Sequence, residues 1–153
     1  MPEIIFRNVT EADRETFLSM SRIFHSPPAT LHVLPQYLAV DTFNEALSGG
    51  PYVRSLVFEL DGETVGYAVL SFKFETEVGS VSVWVEELFI CEGYRGIGIG
   101  SQFMEWLKNE YLGKFRRIRL EVNSDNAVAL HVYEREGFET LDYKQMVLDR
   151  LPE

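Results

Sequence analysis

The chain has 153 residues, of which 46% are hydrophobic and 25% charged, and its formal net charge is −10. This length predicts a single domain over residues 1–153, because such a chain buries about 70% of its unfolded surface on folding. The negative net charge disfavours nucleic acid or an anionic membrane as the main partner. No apolar run reaches the ~20 residues that a membrane-spanning helix needs.

The single cysteine, Cys91, allows no internal disulfide, and the amino terminus lacks the pattern of a signal peptide. We therefore expect a reducing, cytoplasmic location. The three histidines show no metal-ligand spacing among themselves or with Cys91, so no metal is expected.

The first part of the chain predicts one strand and two helices. Ile4 to Asn8 has the character of a short strand. Thr10 to Asp13 resembles a capping box, which opens a helix that ends near His25. A second helix is expected from Pro35 to Leu47.

The sequence pattern in the middle of the chain predicts β-strands. Ser55 to Leu60 and Thr64 to Phe72 flank the turn signal Asp61-Gly62 and predict a hairpin. Val78-Gly79-Ser80 offers the next turn. Val81 to Ile90 is rich in β-branched and aromatic residues, which predicts a long strand.

Helices and strands alternate in the last part of the chain. The pattern predicts a helix from about Ser101 to Tyr111 and a strand over Ile118 to Val122. Asn123-Ser124-Asp125 supplies N-cap candidates for a helix that ends near Glu136, and a last strand is expected near Tyr143 to Leu148. Hairpins followed by β-α-β predict an α/β fold with a mixed, mostly antiparallel sheet and helices on its faces.

The loop after the long strand carries three alternating glycines, Gly96, Gly98 and Gly100. Without Cβ atoms, its N–H groups can converge on one anion, and the start of the next helix adds unpaired N–H groups. The loop therefore predicts a phosphate or pyrophosphate cradle. The absence of a lysine in the loop disfavours a nucleotide triphosphatase. A dinucleotide site is also disfavoured, because Ser101 replaces the third glycine of its fingerprint, although Glu121 resembles the ribose-binding acid.

Three segments resemble motifs of the GNAT family of N-acetyltransferases. Arg95-x-x-Gly98-x-Gly100 is similar to the family's R/Q-x-x-G-x-G/A motif. The preceding Glu86-Glu87-Leu88-Phe89-Ile90 is similar to its acidic-then-apolar strand end. A downstream set resembles N-x-x-A-x-x-x-Y-x-x-x-G-F, namely Asn126, Ala129, Tyr133, Gly137 and Phe138. The motifs cover Val81 to Phe138 and are most similar to those of diamine (spermidine/spermine) acetyltransferases.

The resemblance implies a GNAT-type acyl-CoA N-acyltransferase fold, with a parallel β-α-β core that binds acetyl-CoA as co-substrate. It implies that the glycine loop binds the pyrophosphate and that the preceding strand end pairs with the pantetheine arm. A backbone N–H near Leu88 would stabilise the oxyanion. The cofactor-binding residues implied in this way are Leu88, Phe89, Ile90, Arg95, Gly96, Ile97, Gly98, Ile99, Gly100, Ser101, Asn126 and Ala129.

The resemblance also implies the catalytic groups. Tyr133 stands at the family's general-acid position, and a phenol with a pKa of about 10 is protonated at neutral pH and can protonate the leaving thiolate. Glu86 matches the base that deprotonates the amine, and Glu87 is then a structural acid, although the two roles are open to exchange. Strand alternation predicts that Glu86 and Glu87 face opposite sides of the sheet.

The function expected from the resemblance is direct transfer of an acetyl group to a primary amine of a small molecule, such as a polyamine. Protein lysines and amino termini remain open as acceptors. A non-catalytic acyl-CoA-binding regulatory module is the alternative, which the presence of both Tyr133 and Glu86 disfavours. A homodimer is expected from the resemblance. The acceptor pocket is expected to involve the first two helices and Lys73 to Ser80.

Overall fold

The computed structural model describes residues 2–27, 30 and 32–152. Its elements in chain order are β1 (Ile5–Asn8), α1 (Arg14–Phe24), α2 (Gln36–Leu47), β2 (Val53–Leu60), β3 (Glu63–Glu75), β4 (Ser80–Ile90), α3 (Ile99–Tyr111), β5 (Arg117–Leu120) and α4 (Ala127–Arg135). Short 3₁₀ turns precede α1 and α3, at Glu11–Asp13 and Glu92–Tyr94.

The strands form a five-stranded sheet in the order β1-β2-β3-β4-β5. Neighbours from β1 to β4 are antiparallel, whereas β5 runs parallel to β4. Antiparallel strands can be joined by tight turns, but a parallel pair needs a crossover, and α3 is that crossover. The predicted mixed, mostly antiparallel sheet is confirmed.

Apolar side chains are buried on both faces of the sheet. Leu56 and Phe58 of β2 belong to a cluster with Phe103 of α3, whereas Val57 between them belongs to a cluster with Phe17 of α1. Because successive strand residues point to opposite faces, the clusters lie on opposite sides, which we call the α3 face and the α1/α2 face. None of the described helices combines the length and apolarity needed to cross a membrane.

The predicted capping box at the start of α1 is confirmed. The Thr10 N–H donates to Asp13 Oδ2 at 2.7 Å, and the Arg7 guanidinium donates to both oxygens of Asp13 at 2.8 and 2.9 Å. The Arg7 guanidinium holds the pKa of Asp13 below its usual value. This carboxylate therefore links β1 to the beginning of α1.

Two predictions near the carboxyl terminus are wrong. The N-cap of α4 is Asn126, whose Oδ1 accepts the Ala129 N–H at 3.1 Å, and not residues 123–125. In the described residues no strand forms over 143–148, where Met146 and Val147 are 93% and 83% exposed. Tyr143 and Val147 favour a strand, but Met146 to Leu148 are consecutive apolar residues without the alternation that buries one face.

Candidate active site

The loop between β4 and α3 has the backbone of an anion cradle. Gly96 and Gly98 adopt left-handed φ angles of 78° and 92°, a region that glycine enters without a Cβ penalty. Gly98 is the N-cap of α3, which begins at Ile99, two residues earlier than predicted. The first backbone bond at this helix end is donated by the Gln102 N–H to Gly98 O, at 3.0 Å.

The N–H groups ahead of that bond are available to a ligand. Among the described residues, none of the N–H groups of residues 96–101 donates to a loop or cap acceptor. A Cβ added at Gly96 or Gly100 would meet nothing within 4 Å, so the space beside the loop is open. Adjacent free donors at the positive end of a helix suit a phosphate or diphosphate.

The last part of β4 has a free edge beside this loop. The β4–β5 pairing ends at Val85 and Leu120, whereas β3 accompanies β4 to its end. The Cys91 N–H donates to β3 at 2.9 Å, so strand alternation directs the backbone groups of Leu88 and Ile90 away from β3. These groups therefore lie on the side where β5 no longer pairs.

Arg95 joins the strand end to the glycine loop. Its Nε donates to Ile90 O at 2.9 Å, and its guanidinium carbon lies 5.6 Å from the centre of the Phe89 ring. Phe89 is buried in the cluster on the α1/α2 face, and by the same alternation its backbone groups face β3. Of the predicted strand-end residues, Leu88 and Ile90 thus offer backbone groups to the free edge and Phe89 does not.

Tyr133 lies on α4 at the rim of the α3 face, where Leu88 and Ile90 also pack. Its ring centre is 5.9 Å from that of Phe138. Burial raises the pKa of Tyr133 above its ordinary value, which keeps the phenol protonated. Asn126, predicted to lie along the cofactor, uses its side-chain oxygen to cap α4.

A β-bulge at Glu86 overturns the expected separation of the two carboxylates. Val69 and Leu70 of β3 pair with Glu87 and Val85, so Glu86 is an extra residue without a partner. Val85 on one side of the pair and Leu88 on the other both pack on the α3 face. A bulge breaks the alternation of side chains, and Glu86 and Glu87 both point to the opposite, α1/α2 face.

Each carboxylate has its own partner set on that face. Glu86 is exposed, and its Oε1 accepts a hydrogen bond from the Ser71 hydroxyl at 2.6 Å. Glu87 is only 9% exposed. Its Oε1 accepts the Tyr67 hydroxyl at 2.6 Å and lies 3.2 Å from His25 Nε2. Burial, together with the nearby Glu87 charge, raises the pKa of Tyr67, so its hydroxyl remains a donor.

Sequence reasoning missed three of these polar groups. The sequence places His25 at the end of a helix without metal-ligand spacing, and it places Tyr67 and Ser71 within a strand. No local motif marks them, because they reach the carboxylates through the docking of α1 and the β3–β4 register. The alternation of Tyr67 with Val69 and Ser71 was the one available signal, since it places the three on one face of β3.

Comparisons with known proteins agree on one family. Residues 17–138 match the family model described as the acetyltransferase (GNAT) family. A spermine/spermidine N(1)-acetyltransferase of Bacillus subtilis (strain 168) is 28% identical over 92 residues, 58% of this chain and 60% of that protein. The chain thus spans about 60% of the length of that relative. A thialysine N-epsilon-acetyltransferase of Sus scrofa is 27% identical over 149 residues, 90% of this chain and 85% of that protein.

Solved structures share the fold. A possible acetyltransferase from Clostridium difficile 630 has a TM-score of 0.81 at 16% identity, covering 97% of this chain and 99% of that chain. Aminoglycoside N-acetyltransferase AAC(6')-Iy in complex with CoA has a TM-score of 0.78 at 17% identity, covering 99% and 97%. The whole architecture from β1 to α4 is therefore common to these proteins.

Proposed function

Because this chain belongs to the acetyltransferase (GNAT) family, we propose that it transfers an acetyl group from acetyl-CoA to a primary amine within a ternary complex. One observation carries the proposal. The free N–H groups of residues 96–101 lie next to the free edge of β4, where pairing with β5 has ended. A ligand with a diphosphate at one end and amide groups along an extended arm matches these two features together.

The backbone supplies the binding groups in this proposal. The loop N–H groups bind the diphosphate, and the Leu88 carbonyl and the Ile90 N–H on the free edge bind the amides of the pantetheine arm. Those amides would otherwise lose their water partners on burial, which costs about 1–3 kcal/mol for each unsatisfied group. The Leu88 N–H on this edge is the candidate donor to the oxyanion.

The catalytic groups work from opposite faces of the sheet. Tyr133 packs on the α3 face with Leu88 and would protonate the leaving thiolate, whose ordinary pKa is about 8.5. Glu86, bonded to Ser71 on the α1/α2 face, would accept a proton from the ammonium directly or through water. The opening between β4 and β5, which begins after Val85, is where both groups would reach one thioester.

A cationic amine is the acceptor class that this site suits. Glu86 and Glu87 both face the α1/α2 side, and the chain carries a net charge of −10, which attracts cations at long range. The names of the matched relatives specify spermine or spermidine and thialysine as acceptors for those proteins. Spermidine and thialysine are therefore the first amines to test. The aminoglycoside neamine is a third, because AAC(6')-Iy has also been solved with the bisubstrate analogue CoA-S-monomethyl-acetylneamine.

The test is a thiol-release assay with acetyl-CoA and each amine, run beside an assay without amine to measure hydrolysis. We expect amine-dependent release of free CoA thiol and an acetylated amine detectable by mass spectrometry. Calorimetry should also show acetyl-CoA binding without an amine. A protein that fails to bind acetyl-CoA at millimolar concentration would refute the proposed function.

A further inference from the structure

The proposed chemistry leaves unused a polar cluster beside Glu87. Glu87 of β4, Tyr67 of β3 and His25 at the end of α1 are 9%, 0% and 8% exposed. Burying polar groups costs free energy unless they are hydrogen-bonded. Here Tyr67 of β3 and His25 at the end of α1 both contact the carboxylate of Glu87 on β4.

Tyr67 and His25 both lie beside the same carboxylate oxygen. Tyr67 Oη donates to Glu87 Oε1 at 2.6 Å, and His25 Nε2 lies 3.2 Å from the same atom, within ion-pair distance. A carboxylate oxygen offers about two lone-pair sites, and these two groups occupy the space beside Oε1. Among the described residues no hydrogen bond to Glu87 Oε2 occurs. A further donor would therefore bind at Oε2.

Tyr67 and His25 are themselves held in place. The His25 N–H donates to Ser21 O at 2.9 Å and closes α1, while the Phe24 ring packs edge-on to the imidazole at 5.5 Å. The Tyr67 ring lies 4.9 Å from Phe17. The carboxylate is thus fixed from α1 and from the sheet at once.

We infer that His25 and Tyr67 are positioning residues, which hold Glu87 so that Oε2 binds the amino group of the acceptor. This inference rests on the proposed function, since it needs an amine to approach β4 from the α1/α2 face. Glu87 immediately precedes Leu88, whose backbone N–H lies on the free edge that would hold the acetyl group. An amine bound by Glu87 therefore lies one residue from the thioester, with Glu86 beside it on the same face.

The experiment compares His25→Leu, His25→Gln and Tyr67→Phe with the wild type. Leucine fills the site without a donor, whereas the side-chain amide of glutamine can donate from near the Nε2 position. Tyr67→Phe removes only the hydroxyl. His131→Leu, on an exposed position of α4, is the matched control. Each protein is assayed with acetyl-CoA and the amine of the panel (spermidine, thialysine or neamine) that the wild type acetylates fastest, and its melting temperature is recorded.

His25→Leu and Tyr67→Phe should each raise the KM for the amine about tenfold, equivalent to about 1.4 kcal/mol. The KM for acetyl-CoA should stay within about twofold of wild type, since no cofactor-binding group is altered. His25→Gln should recover most of the affinity for the amine, and His131→Leu should match the wild type. A purely structural role would instead lower the melting temperature and disturb both KM values together.

An unchanged amine KM in folded His25→Leu would overturn the inference, as would His25→Gln behaving like His25→Leu. If His25→Leu fails to fold, a Tyr67→Phe protein with wild-type amine KM overturns it instead. Wild-type protein that neither binds acetyl-CoA nor releases thiol refutes the proposed function itself, and this inference with it. The acetyl-CoA binding measurement thus separates the two failures.

Discussion

Gly100 is the position at which substitutions best separate folding from cofactor binding in this protein. Gly100 lies in the first turn of α3 and has no left-handed φ, and a Cβ there would meet nothing within 4 Å. Alanine should therefore stabilise the fold, because glycine in a helix costs about 0.5–1 kcal/mol relative to alanine. In a first turn we expect about 0.5 kcal/mol, which for a chain of this size raises Tm by about 1–2 °C.

A larger side chain at the same position should weaken acetyl-CoA binding. The family motif accepts alanine here, so Gly100→Ala should keep wild-type affinity. The side chain of Gly100→Leu would instead fill the open space beside the free N–H groups, which a diphosphate would occupy in our proposal. Losing even one hydrogen bond to a charged group costs about 1.5–3 kcal/mol. We therefore expect Gly100→Leu to raise the Kd for acetyl-CoA at least about tenfold.

Calorimetric titration with acetyl-CoA and urea denaturation test the two effects on both variants. Gly62→Ala is a further control, because Gly62 has a φ of +81° and equally open surroundings but lies in the β2–β3 turn. It should lose about 1–2 kcal/mol of stability and keep wild-type acetyl-CoA affinity. Gly100→Leu protein that binds acetyl-CoA as tightly as wild type would refute the cradle.

Three further predictions concern the acid, the base and the first cap. Tyr133→Phe should lower kcat by about 10²–10⁴-fold without changing the Kd for acetyl-CoA, and an unchanged kcat would show that Tyr133 is not the acid. Because the pKa of Tyr133 is raised, any loss of wild-type kcat at alkaline pH should occur above pH ~10. Glu86→Gln should lower kcat at neutral pH and recover part of it near pH ~10, where the amine deprotonates by itself; a pH-independent defect, measured by thiol release, would contradict a base role. Because Arg7 lowers the pKa of Asp13, the stabilisation by this pair should be present above pH ~4 and be lost as the pH falls further. Urea denaturation of Asp13→Asn should therefore show a deficit of about 1–3 kcal/mol at pH 7 that shrinks at pH 3, and a deficit independent of pH would contradict the linkage.

Local patterns in the sequence were sufficient to predict most of the elements. The capping box at Thr10, the hairpin turn at Asp61-Gly62 and the glycine loop before α3 depend on residues within a few positions of one another. Such signals depend on backbone preferences and short-range hydrogen bonds, which do not require contacts with distant parts of the chain. The order of hairpins followed by β-α-β was also enough to predict a mixed sheet.

The failed predictions needed information from distant residues. Tyr143 and Val147 favour a strand, but a strand also needs a neighbour with free backbone groups and a face to bury. The N-cap of α4 is Asn126 and not one of residues 123–125, because several adjacent polar residues are equally suited to cap a helix and the local pattern does not choose among them.

The sequence alone determined the glycine loop and the chemistry available to the site, since glycine, tyrosine and glutamate carry their properties at any position. Only the tertiary structure decided how these groups are arranged. The bulge at Glu86 follows from the register of β3 against β4, and it turns both carboxylates to one face. The contact of His25 with Glu87 follows from the packing of α1 on the sheet. Both depend on contacts between residues far apart in the chain, which no short stretch of sequence specifies.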